Sequence, residues 1–118
     1  MRRPLSSSEI YLIESLIVNL DNETKNIVTQ DACNSDVNLK KTGAGWIYEF
    51  NIRGYSRPVY RGQHGYPVEG VMSDVDGAKI NVYLYADENN KLLELELIRG
   101  EDGRDIISPL FNTLNILY

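Results

Sequence analysis

The side chains in this sequence that could do chemistry are few and far apart. His64 is the one group whose ordinary titration falls near neutral pH. It lies among Arg57, Tyr60, Arg61 and Tyr66, a set able to contact a phosphate. Acid–base cleavage of a phosphodiester wants a second acid or base, and only tyrosines or distant carboxylates are left to supply it. Cys33 is the only cysteine, remote in sequence from His64 and without an activating pattern around it. An unpaired cysteine excludes an internal disulfide framework and suits a reducing compartment.

Two glycine-bearing stretches resemble ligand loops only in part. Gly43-Ala44-Gly45 is too short for a dinucleotide fingerprint and lacks the lysine of a phosphate loop. Asp74-Val75-Asp76-Gly77 begins like a calcium loop, but its glycine comes two positions early and no distal glutamate follows at the right offset. Both read as turns. The sequence therefore carries no catalytic set, no metal site and no cofactor motif, and the expectation is a binding protein, not an enzyme.

Binding residues are better represented. The run from Arg53 through Tyr55, Arg57, Tyr60 and Arg61 interleaves cations with aromatic rings, as single-strand binders do. Arginine can pair a phosphate through two nitrogens while tyrosine stacks a base. The loop spanning 53–66 is thus a candidate for an RNA-binding or regulatory module. The net charge of −5 repels a polyanion, which makes direct nucleic-acid binding the weaker expectation.

The distribution of charge points elsewhere. Residues 1–67 hold eight Lys/Arg and seven Asp/Glu, whereas residues 68–118 hold four and ten, a net of −6. If Ile80, Val82 and Leu84 point inward, Tyr83 and Tyr85 point outward with Asn81. If Leu93, Leu95 and Leu97 point inward, Glu94 and Glu96 point outward with Ile98. Side by side, these strands make a wall of tyrosines flanked by carboxylates. Glu69, Asp87, Glu88, Glu101 and Asp102 extend it through the neighbouring strand and turns. Tyrosine gives large contact area at low entropic cost, and carboxylates steer a basic partner. The same pattern is also what an ordinary solvated sheet face looks like.

The elements that must position these groups are legible in outline. Ser6 and Glu9 form a capping-box pair, with Leu5 and Ile10 as the hydrophobic staple. Ile10, Ile13, Leu16, Ile17 and Leu20 then recur at helical spacing, so a helix runs to about Leu20–Asn22. A short second turn is expected through Glu23 to Val28. From Asp36 the period becomes two, giving a hairpin through Val37 and Leu39, the Thr42–Gly45 turn, and Trp46, Tyr48, Phe50 and Ile52. Gly54, Pro58, Gly62, Gly65 and Pro67 make the next segment a loop. Strands over Val68–Val75, Lys79–Ala86 and Leu92–Arg99 are separated by turns at Asp76-Gly77 and Asp87–Asn90.

In the C-terminal segment, Ser108-Pro109 with Leu110, Phe111, Leu114 and Leu117 suggests a short helical turn. The spacing of Leu114, Ile116 and Tyr118 would equally suit a strand. The expected whole is a single α+β domain over 1–118. Its N-terminal helix packs on an antiparallel meander of about five strands, in two layers. A hydrophobic fraction of 42% supplies a core at this length without a disulfide or metal staple. The apolar stretch after Arg2 and Arg3 is broken by Glu9, Glu14 and Asn19. No run approaches a membrane span, and a cytoplasmic location is expected.

The opening Arg3-Pro4-Leu5-Ser6-Ser7-Ser8-Glu9 resembles that of an uncharacterised bacterial small-domain family. The run from Val75-Asp76-Gly77 through Tyr83-Leu84-Tyr85 to Leu93-Glu94-Leu95 resembles the same family's meander. In size, acidity and lack of catalytic equipment, the chain is also similar to immunity proteins of bacterial polymorphic toxin systems, including contact-dependent growth inhibition. That second resemblance implies a cognate protein toxin domain as partner, commonly a nuclease, and assigns no residue.

Overall fold

The computed structural model describes residues 2–58 and 62–117. Strand β1 (Arg2–Pro4) leads into helix α1 (Ser7–Leu16) and helix α2 (Asn22–Cys33). Six further strands follow: β2 (Ser35–Thr42), β3 (Gly45–Ile52), β4 (Gln63–Asp74), β5 (Lys79–Asp87), β6 (Leu92–Ile98) and β7 (Pro109–Ile116). They form one antiparallel sheet in the order β1-β2-β3-β6-β5-β4-β7.

The capping pair read from the sequence starts α1. The Ser6 N–H donates to Glu9 Oε1 (2.8 Å), and the Glu9 N–H donates to Ser6 Oγ (3.2 Å). Glu9 does more than cap: it is buried, and Arg3 grips both of its oxygens at 2.6 Å. The helix stops at Leu16, earlier than its apolar stripe suggests, because the chain turns and Asp21 caps a second helix through the Thr24 N–H (2.8 Å). The predicted short turn over 23–28 is thus a full helix. Only Val28, Asp31 and Ala32 on it are buried, too few to give a helical period.

Both helices pack on one face of the sheet. Leu12, Ile13, Leu16, Ile17, Val28 and Ala32 share a single apolar cluster with Val37, Tyr48, Phe50, Met72, Ile80, Val82, Leu84, Leu95 and Leu97. At about 25 cal/mol per Å² of apolar surface removed from water, this cluster is the main favourable term in folding. Gly70 lets α1 and β7 come close: a Cβ there would stand 3.1 Å from Leu16 Cδ1 and 2.7 Å from Leu114 Cδ1.

The fold is α+β with helices on an antiparallel sheet, as expected; among the described residues the sheet has seven strands where about five were read, and β3 pairs β6 while the chain crosses to β4. Two expectations need correction. The C-terminal segment is strand β7 on the edge of β4, not a helical turn. Its pairing shifts between Val71 and Ser73, leaving a bulge in which Thr113 Oγ1 accepts the Ser73 N–H (2.9 Å) and Phe111 and Leu114 pack on the core. Finally, a bulge beside Ala86 pairs it with Leu92, so Leu92 is buried and Leu93 is not.

The turn end of the sheet is tied by a buried charge cluster. Arg99 is 2% exposed and donates to Asp74 (2.6 Å), Asp76 (2.7 Å) and Asp102 (2.9 Å). Asp74 is fully buried and also accepts the N–H groups of Val75, Ile107 and Ser108. One carboxylate thereby fixes the β4–β5 turn and the start of β7 together.

Candidate functional site

Strand alternation and register define the face opposite the helices. Inward Ile80, Val82 and Leu84 leave Asn81, Tyr83 and Tyr85 on the far side, and buried Leu95 and Leu97 leave Glu94, Glu96 and Ile98 there. Tyr85 stands directly across from Glu94, and Tyr83 across from Glu96. On the other side of β6, Glu49 stands across from Glu94 and Ile47 across from Glu96. Glu69 on β4 faces Tyr83. The wall therefore reads, strand by strand, as two rows: Asn38-Glu49-Glu94-Tyr85 and Lys40-Ile47-Glu96-Tyr83-Glu69. Neither helix and no part of β7 lies over it.

The carboxylates on this wall crowd one another. Burial, then the nearby charges of Glu96 and Glu49, hold the Glu94 carboxyl above the usual range, against a hydrogen bond from Gln63 and the charge of Lys40. The Tyr85 hydroxyl donates to Glu96 Oε1 (3.3 Å), and Tyr83 is hydrogen-bonded to Glu69. Burial and these carboxylates push both phenols upward, so they stay neutral donors. Lys40 Nζ reaches Glu49 at 3.2 Å across a half-exposed pair. Like charges directly opposite on neighbouring strands, as Glu49 and Glu94 are, destabilise a sheet.

A cleft of about 260 Å³ opens at one end of the wall, beside Glu49, Glu94, Gln63, Leu93, Arg57 and Asp87. Among the described residues, no group of three His, Cys, Asp or Glu side chains is placed to hold a metal ion, and no helix is long and apolar enough to cross a membrane.

A family model described as Domain of unknown function (DUF6984) matches residues 2–108. The chain belongs to the DUF6984 family. Within this DUF6984 chain, every strand that carries the carboxylate wall falls inside the matched span, as does the Arg3–Glu9 clasp; β7 lies beyond it. No curated protein matches the chain, and no solved structure does.

The residues singled out in the sequence part into three groups. Tyr83, Tyr85, Glu94, Glu96 and Glu69 share the open wall. Glu88 and Glu101 are exposed but sit at opposite ends of the sheet. Asp87 and Asp102 are both paired with the fold's own arginines, Asp87 buried and Asp102 exposed. Asp87 is 4% exposed and accepts from Tyr55 (2.6 Å), Arg57 (2.9 Å) and backbone groups of the β5–β6 turn. Burial would raise its pKa, but these bonds outweigh that and hold it below the usual carboxylate value. Asp102 is clamped by Arg99, which with the Arg104 N–H brings its carboxyl down to about 2.

The Arg/Tyr loop is similarly committed. Arg57 donates to Asp87 and to the carbonyls of Phe50 (2.7 Å) and Leu92 (2.6 Å), so its fork ties the loop to the sheet. Tyr55 is bonded to Asp87 and Asn89, and Arg53 pairs Asp36 at 2.7 Å. Tyr60 and Arg61, like Tyr118, lie outside the described residues. His64 is exposed on β4, across from Ala86. Cys33 is exposed at the end of α2.

Sequence reasoning missed Glu49 and Arg99. The outward position of Glu49 followed from the Trp46-Tyr48-Phe50 alternation. Its place beside Glu94 depends on β3 pairing with β6, which no local signal announces. Arg99 looked like the last residue of a strand, and nothing nearby in sequence marks it as buried.

Proposed function

We propose that the chain is an immunity-type inhibitor that binds and neutralises a basic protein domain, of the kind found in nucleic-acid-cleaving toxins, through the open face of its sheet. The observation that carries this reading is the register of Glu49, Glu94, Glu96 and Glu69 with Tyr83 and Tyr85, half-buried, on one wall over which neither helix lies. A groove built to hold nucleic-acid phosphates is lined with lysines and arginines, and a rigid wall of carboxylates offers it the same charge at a similar spacing. The tyrosines supply contact area at small entropic cost, since the sheet and their bonds to Glu69 and Glu96 already order them.

The wall spans five strands, about 24 Å wide, and about 24 Å along them, or roughly 600 Å². A stable interface buries about 800 Å² on each partner, so the partner reaches past the wall onto its borders.

The test is stopped-flow association of the wild-type chain and the Glu94→Lys/Glu96→Lys variant with a basic protein domain that co-purifies with the chain from its native cell. The expected result is fast association that slows steeply with salt, and a variant that associates more slowly and with a weaker salt dependence. Unchanged association by the variant would sink the reading.

A further inference from the structure

The wall is not uniformly negative. Arg2 on β1 stands across from Asn38 on β2, in the same transverse row as Glu49 and Glu94. Its guanidinium therefore belongs to the same face, three strands away from Glu94, or about 14 Å at the usual strand spacing. Glu49, the nearer carboxylate of the row, is two strands away, about 10 Å, and is paired with Lys40; both distances exceed the screening length of about 8 Å at physiological salt. Arg2 is exposed, and among the described residues no ion pair or hydrogen bond engages its guanidinium.

Beside it lies a groove of about 300 Å³ lined by Arg2, Asp36, Asn51, Arg53 and Tyr55. Arg53 gives one nitrogen to Asp36 and is 54% exposed, so the rest of its fork faces the groove's solvent. Arg57 forms a fixed wall, because its nitrogens are taken by Asp87 and two carbonyls. The Arg2 guanidinium and the edge of Arg53 that Asp36 leaves over flank one polar groove, and together they match an oxyanion held by paired N–H donors.

We infer that the groove at the β1–β3 corner is a carboxylate-binding subsite, and that the basic partner of the proposed function bears an acidic side chain there, next to its cationic patch. This rests on the inhibitor reading for the identity of the partner. Asp36 favours a singly charged carboxylate over a doubly charged phosphate. The wall's area, short of a standard interface, brings the partner's border over this corner. Opposite charges at the two ends of one row also fix the partner's orientation, since rotating it by half a turn would set like charges against each other.

The experiment is a nuclear magnetic resonance titration of the full chain at low ionic strength with three probes: an oligoglutamate peptide, inorganic phosphate and an oligolysine peptide. Oligoglutamate is expected to shift the side-chain signals of Arg2 and Arg53 and the Gly54 amide. Arg2→Gln and Arg53→Gln should each weaken its binding about threefold to fivefold, in line with a modest surface ion pair. Shifts spread evenly over Lys25, Lys41 and Lys79 would overturn the subsite, and so would phosphate binding more tightly than oligoglutamate. Oligolysine reports separately on the wall. If it leaves the amides of Tyr83 and Tyr85 unmoved while oligoglutamate fills the groove, the inhibitor reading falls and the carboxylate subsite stands.

Discussion

At the turn end of the sheet, Asp74, Asp76 and Asp102 converge on the buried guanidinium of Arg99. On the open wall, Glu94 and Glu96 stand beside Glu49, with Lys40 and Gln63 close by. Both groups are acidic and both lie largely in the same half of the sequence. In one, three carboxylates share a single buried cation that the fold supplies, and its carboxyls sit below their usual pKa. In the other, Glu94 sits above it. The contrast separates carboxylates that hold the structure from carboxylates that stand on its sheet face.

The sharpest way to break the comparison is to remove the cation. Arg99→Ala leaves Asp74 buried without its counter-charge, a change among the most destabilising available to a small protein. The melting temperature should fall by about 10 °C or more, read by circular dichroism. A smaller fall than that of a surface arginine variant would show that the cluster is not structural.

Acid should attack the same cluster. Asp74, Asp76 and Asp102 are held below the carboxylate range, so their stabilising effect is complete above about pH 4 and is lost as pH falls toward about 2. Glu94 runs the other way. Its raised pKa means that the folded chain holds a proton there more tightly, so its contribution weakens as pH rises through that raised value. An unfolding series between pH 2 and pH 7 therefore checks both signs, with Asp102→Asn flattening the acid limb.

Charge reversal at Glu94 and Glu96 is expected to slow association with a basic partner about tenfold at low salt while leaving the melting temperature unchanged or higher. A variant that unfolds would place these residues with the structural carboxylates. The smallest effect belongs to Glu94→Gln, which relieves the opposition with Glu49 and should stabilise the chain by about 0.5 kcal/mol at pH 7. That gain should vanish below about pH 4, where the native carboxyl is already neutral.

Much of the wall was legible because a strand's period is two: the outward turn of Tyr83, Tyr85, Glu94 and Glu96 needs only the apolar residues between them. The capping pair of Ser6 and Glu9 was legible for the same local reason. What local pattern could not carry was adjacency between distant strands, which brings Glu49 to Glu94 and Arg2 into the same row. Nor could it show which charges are consumed. Asp87 and Glu88 look alike as turn residues, yet one is buried under Tyr55 and Arg57 and the other is exposed. The end of the chain misled because Ser108-Pro109 is a good helix start, while the Asp74 carboxylate takes the Ile107 and Ser108 N–H groups and sets the backbone along β4.

The two borders of the sheet bear on how the molecule behaves in a crowd of its own kind. β1 is three residues long and carries Arg2 and Pro4, while β7 begins at a proline and is broken by a bulge whose extra residues fold into the core. Neither offers a straight ladder of unpaired amides on which a second molecule could continue the weave. The chain can thus leave a wide, flat, tyrosine-bearing surface bare without seeding fibrils along its rims.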